Sequence, residues 1–83
     1  MFETTDSTLE EQYLLVARLD QDIINLVQQR TDLCRELASQ RRAVGGPAIE
    51  LSRENEVLHR YQRALGPSGT SLGMLLTEIG RRD

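Results

Sequence analysis

From Leu9 onward the apolar residues return with the period of an α-helix and meet neither proline nor glycine until Gly45, Gly46 and Pro47. That pattern predicts one helix of about 35 residues, roughly 50 Å long at 1.5 Å per residue. Ser7 followed by Glu10 forms a capping box at its start, and Asp6 and Glu11 add favourable charge near the N-terminus. Residues 1–7 are then an N-terminal tail, and residues 8–83 form one helical domain. Ser52 caps a second, shorter helix in which Glu54, Leu58, Tyr61 and Leu65 share one face, so Glu54 continues an apolar stripe toward the core. A glutamate in that position demands a partner, and Arg53 lies at the border of the stripe, one turn below Val57. Gly66 and Pro67 end this helix, and "GPSGTS" (66–71) is a turn and cap before a third amphipathic segment carrying Leu72, Leu75, Leu76 and Ile79. The closing "GRRD" (80–83) reads as a tail that stays mobile unless a partner orders it. The fold class expected is all-α, one long and two short helices, with no strand pattern and no internal repeat.

Length makes the long helix conspicuous. A chain of 83 residues supports one domain with a modest core and gains from an added source of stability such as a partner subunit. A globule of this size has a radius of gyration of about 12 Å and a diameter near 30 Å, so the helix overhangs its own domain. A second copy of the chain is the simplest cover for the excess apolar face. In heptads, Leu9, Val16, Ile23, Arg30 and Leu37 share one seam position, and Tyr13, Asp20, Val27, Cys34 and Arg41 share the other. Arg30 and Arg41 are about 20° apart around the axis and about 16 Å apart along it, so they point into one space. Two readings fit: register-setting polar residues in a coiled seam, or cations awaiting an anionic ligand, since a buried arginine is costly unless an anion meets it.

Composition narrows the function classes. The net charge is −3, the pI is about 5.1, and no basic run is long enough to neutralise a phosphate backbone, which argues against nucleic acid. No apolar stretch approaches the roughly 20 residues of a membrane span, and no signal-peptide region opens the chain, so a cytoplasmic protein is expected. All ten positive charges are arginine. Two readings fit: codon bias, or selection of some of them for a planar fork that grips carboxylates. The single cysteine, Cys34, excludes an internal disulfide and a thiolate metal cluster, and reads as a small buried hydrophobe. No metal and no cofactor is called for. His59 sits off the Leu58 and Tyr61 stripe as a surface residue, Tyr61 is core, and Gly45-Gly46 lacks the lysine and helix cap of a phosphate loop.

Four stretches, "RLDQDIINLVQQR" (18–30), Arg41 ahead of "VGG", "SRENEVLHRY" (52–61) and "GPSGTSLGMLLTEIGR" (66–81), together resemble the all-helical chorismate mutases. The resemblance covers roughly residues 9 to 82 and is nearest the short intracellular subclass that works with a partner synthase. Its specificity lies in the order and spacing of Leu19-Asp20, Arg30, Arg41 and Arg53-Glu54 taken together. It implies an intertwined helical homodimer built through the long first helices, with two active sites. Chorismate rearranges to prephenate by a pericyclic shift, so no nucleophile, metal or acid-base pair is needed. The enzyme holds the enolpyruvyl side chain over the ring and stabilises charge on the ether oxygen.

The resemblance also implies roles. Arg30 grips a substrate carboxylate, Arg41 stands beside the ether oxygen and side-chain carboxylate, Arg53 contributes charge and orientation, and Glu54 accepts a hydrogen bond from the ring hydroxyl. Glu50 falls where some members carry an acidic residue near that hydroxyl and others an apolar one. Members usually place an arginine near the start of the first helix to cross into the other chain's site, and here Tyr13 stands there. It donates one hydrogen bond but no charged fork, so weaker substrate binding is expected. Arg18 is about 140° round the helix from that position. The third helix lacks the glutamine that larger members aim at the ether oxygen, as does the short subclass. In that subclass the deoxy-arabino-heptulosonate phosphate synthase (DAHP synthase) orders the C-terminus and raises activity, a docking that Gly80, Arg81 and Arg82 would serve. The expectation is a chorismate mutase of aromatic amino-acid biosynthesis, weak alone and activated by its partner. The alternatives are a mutase or lyase acting on aminodeoxychorismate or isochorismate, and a catalytically silent regulatory dimer.

Overall fold

A computed structural model describes residues 2–47 and 49–81, with side chains from residue 8 onward. It contains α1 (Phe2–Ala43), α2 (Leu51–Leu65) and α3 (Pro67–Arg81), and among the described residues all regular structure is helical. α1 begins at Phe2, so Ser7 lies inside it and is not its cap. No proline or glycine stands between residues 2 and 7 to stop the helix there.

The far end of α1 is where the glycines place it. Gly45 takes a φ of +83°, Gly45 N–H donates to the Arg42 carbonyl at 3.0 Å, and Gly46 N–H donates to the Arg41 carbonyl at 2.7 Å. This is the Schellman pattern, which needs a residue free of Cβ at the left-handed position. α2 opens on Glu50 rather than Ser52: Glu50 is extended, with φ −115° and ψ 106°, and its carbonyl accepts the first helical bond from Glu54 N–H at 3.2 Å. Its side chain makes no capping bond, because the carboxylate is engaged by two arginines described below. Gly66, with φ +77°, is the sole residue between α2 and α3, and Pro67 occupies the first position of α3, where its missing N–H costs nothing.

α3 packs against both α2 and α1. It does so through a different face from the one its leucines suggest. Gly69, Gly73, Leu76 and Gly80 are the buried residues, whereas Leu72 and Leu75 are exposed and Ile79 is half-buried. Close approach is the reason: a Cβ at residue 69 would stand 2.1 Å from the Tyr61 carbonyl oxygen, and one at residue 73 would stand 3.0 Å from the Tyr61 ring. Tyr61 is therefore a packing residue of the α2–α3 hairpin. The tail expected at residues 80–83 is shorter than its sequence suggests, since α3 runs through Gly80 to Arg81; Arg82 lies outside the described residues.

The molecule measures 66 × 24 × 14 Å with a radius of gyration of 18.1 Å, well above the value of about 12 Å for a globule of this length. Leu76 is the one buried hydrophobic residue among those described. Both seams of α1 lie open in the single chain: Leu9, Val16, Ile23 and Leu37 are about half exposed and Tyr13 is 70% exposed. Apolar rows of this extent are a surface that monomeric soluble proteins rarely leave exposed.

Candidate active site

α1 and α2 face each other across a cleft floored by the end of α3, enclosing a cavity of about 470 Å³. That volume suits a small molecule. α1 lines one wall with Arg30, Cys34, Leu37 and Arg41, spaced i, i+4, i+7 and i+11 so that all four share a face. The opposite wall is Ile49 and Glu50 from the connection, then Arg53, Glu54 and Val57 from α2. Thr77, Gly80 and Arg81 close the bottom from α3. The Schellman turn at Gly45 and Gly46 sends the chain back toward α1, which is why Glu50 returns to within reach of Arg41.

Seven arginines and three glutamates line the cavity, so its wall is net positive in a chain whose net charge is −3. Low-dielectric walls with one sign of charge focus a field that draws in an anion. Arg30, Arg41, Arg53 and Arg81 have partners that fix their place. Arg30 donates from Nη1 to the Leu76 carbonyl of α3 at 3.2 Å and lies 3.8 Å from Cys34 Sγ. Arg41 Nε stands 3.5 Å from Glu50 Oε1, and Arg53 Nε donates to Glu50 Oε2 at 2.6 Å. Arg81 forks onto both oxygens of Glu54, with Nε to Oε2 at 3.1 Å and Nη2 to Oε1.

The substrate-site residues named from sequence are thus brought together with one exception. Arg30, Arg41, Arg53, Glu54 and Glu50 all line the cavity. Glu50 has one oxygen near each of two arginines, so in this state it orients cations rather than presenting a free acceptor. Arg53 is the most open of the group, its side chain 69% exposed, and Arg41 is the more enclosed at 26%. Tyr13 is the exception. It lies 17 residues before Arg30 on the same helix, about 25 Å away along the axis, and serves no site of its own chain.

Two placements differ from expectation. Cys34 is half-buried on the cavity wall rather than in a core. Gly80 and Arg81, expected in a docking tail, sit in the last turn of α3: Gly80 is buried against Cys34, and Arg81 pairs with Glu54. Arg81 as a cavity residue is what sequence reasoning missed. The signal was present, because α2 and α3 each have 15 residues and are joined by Gly66 alone, which brings the end of α3 beside the start of α2. Glu54 needed a cation, and the hairpin delivers one. His59 is exposed and is not part of the cavity.

The arrangement is a cationic cleft with a glutamate opposite two arginines of one helix face. It can hold a compact dianion bearing a hydroxyl group, orient it, and stabilise negative charge that moves within it.

No protein-family model matches the chain. It is 41% identical over 83 residues to the intracellular chorismate mutase of Mycolicibacterium smegmatis, covering 98% of this chain and 80% of that protein. It is 39% identical over 74 residues to the intracellular chorismate mutases of Mycobacterium tuberculosis and Mycobacterium bovis, covering 89% of this chain and 67% of each. Among solved structures it superposes with a TM-score of 0.88 and 25% identity, over 93% of both chains, on a chain from the non-covalent complex of DAHP synthase and chorismate mutase of Corynebacterium glutamicum, which holds a transition-state analogue.

Proposed function

We propose that this chain, which belongs to the family of intracellular chorismate mutases, rearranges chorismate to prephenate in the cleft between α1 and α2. The observation that carries the assignment is the shared face of Arg30 and Arg41 opposite Glu54 around a 470 Å³ cavity. In this reading Arg30 binds one carboxylate of chorismate, and Arg41 meets the ether oxygen and the enolpyruvyl carboxylate. Arg53 adds charge at the mouth, and Glu54 accepts the ring hydroxyl. Glu50 acts through the arginines: one carboxylate near both Arg41 and Arg53 restricts them before substrate arrives. Preorganised cations of this kind stabilise charge developing on the ether oxygen without reorganising during the reaction. Catalysis then consists of holding the reactive conformer and stabilising its transition state.

A homodimer completes the picture. Leu9, Val16 and Ile23 of α1 are exposed in the single chain, as are Leu72 and Leu75 of α3. A second α1 lying along these rows covers them and carries its Tyr13 toward the partner's cleft. A DAHP synthase is the proposed activating partner, engaging the chain at the C-terminal end of α3, at Gly80 and Arg81.

The test is the loss of chorismate absorbance with purified protein, alone and then with DAHP synthase from the same source. Turnover that rises on adding the synthase supports the full reading, and turnover alone supports a self-sufficient mutase. Absence of turnover under both conditions overturns the assignment of catalysis to this cleft and favours the silent dimer, for which Tyr13 in place of a crossing arginine is the specific argument.

A further inference from the structure

The reading above uses Arg30, Arg41, Arg53 and Glu54, yet the cleft holds another cation at close quarters. Arg81, the last residue of α3, donates from Nε to Glu54 Oε2 at 3.1 Å and from Nη2 to Glu54 Oε1. The pair is enclosed at its carboxylate end, the Glu54 side chain being 21% exposed against 45% for Arg81. About one turn earlier, the same helix offers its Leu76 carbonyl to Arg30 Nη1 at 3.2 Å. Between the two contacts, Gly80 sits so close to α1 that a Cβ there would stand 3.1 Å from Cys34 Cβ and 4.0 Å from Arg30 Nη1. The last turns of α3 therefore touch residues of both walls, and a residue without a side chain sets their depth.

We propose that Arg81 is a positioning residue for Glu54, and that through this contact the end of α3 sets the geometry of the hydroxyl-binding side of the cleft. The inference rests on the reading that Glu54 accepts the substrate's ring hydroxyl. A glutamate has three rotatable side-chain bonds, and a single partner leaves its carboxylate plane free to turn. A planar guanidinium bonded to both oxygens fixes the plane and both oxygen positions. Each oxygen keeps a lone pair, so the carboxylate still accepts the hydroxyl of a ligand. Arg81 also offsets the repulsion between Glu54 and the carboxylates of an incoming dianion. Lysine, a point charge, supplies the second effect without the first.

A double-mutant cycle tests this. The proteins are wild type, Arg81→Ala, Glu54→Ala and the double variant, with Arg81→Lys in addition. Each is measured for kcat/KM on chorismate, for helix content and for thermal midpoint. Arg81→Ala is expected to lower kcat/KM about tenfold, within the range of couplings between contacting residues. In the Glu54→Ala background the same change is expected to cost nothing further, and Arg81→Lys is expected to recover part of the loss. Thermal midpoints stay close to wild type, because an ion pair whose arginine is 45% exposed contributes little to stability. If Glu54→Ala fails to fold, Glu54→Gln takes its place in the cycle. A loss of equal size in both backgrounds overturns the proposal, since Arg81 then acts on substrate directly or on the fold. So does an Arg81→Ala protein with wild-type kcat/KM while Glu54→Ala is impaired. A Glu54 variant at the wild-type level removes the hydroxyl-binding reading itself, and this inference with it.

Discussion

Arg30→Ala separates a catalytic arginine from a structural one. In the fold, Arg30 contributes a charge-assisted hydrogen bond from Nη1 to the Leu76 carbonyl at 3.2 Å. That carbonyl lies within α3 and has the helical N–H of Gly80 as its ordinary partner, so truncation leaves no buried acceptor without a donor. The structural cost is then about 1–2 kcal/mol, or roughly 4–16 °C in thermal midpoint for a chain of this size. In the site, the loss is larger. A substrate carboxylate brought into the cleft without its guanidinium is a desolvated charge left unpaired, at a cost of about 3–5 kcal/mol. At 1.36 kcal/mol per decade this predicts a fall in kcat/KM of roughly 10² to 10⁴. The assay is the initial rate of chorismate disappearance well below KM, run beside circular dichroism and sedimentation on the same samples. Arg30→Lys, which keeps the charge and loses the fork, is expected to fold like wild type and fall between the two. Helix content and oligomeric state at wild-type values with kcat/KM within fivefold of wild type would refute the placement of Arg30 in the site.

Three other outcomes follow from the same structure. Tyr13→Arg is expected to raise kcat/KM, on the order of tenfold if a charged hydrogen bond replaces a neutral one across the dimer; an unchanged or lower value in steady-state kinetics would mean that another group already fills the role. Ile23→Glu puts a carboxylate on an exposed apolar row of α1. Sedimentation should then find monomers with reduced helicity and no turnover, and a fully active dimer would contradict the proposed interface. Gly69→Ala drives a Cβ to 2.1 Å from the Tyr61 carbonyl and 2.8 Å from Leu65 Cβ, atoms that have no side-chain rotation by which to retreat. The expected destabilisation is about 1–3 kcal/mol in a thermal or urea melt, and a melt indistinguishable from wild type would show that the hairpin repacks freely.

Much of the architecture is written in local chemistry. Glycines at 45 and 66 and prolines at 47 and 67 bound three helices, because positive φ and the missing proline N–H are properties of single residues. The shared face of Arg30 and Arg41 follows from helical period alone, and so does an apolar stripe too long for one small domain. These are short-range rules, and they carried the reading as far as a cationic cleft on a long helix.

Tertiary structure decided what depends on how closely two helices approach. Glu50, not Ser52, opens α2, because the preference of serine for capping gave way to a backbone whose return from the Gly45 turn sets Glu50 against Arg41 and Arg53. α3 buries its glycines instead of Leu72 and Leu75, since the Tyr61 carbonyl lies where any Cβ at 69 would have to be. Arg81 meets Glu54 across 27 positions of sequence. Hydrophobic period names the faces available to a helix, but the distance to its neighbour selects which one is buried, and that distance is a property of the assembled hairpin.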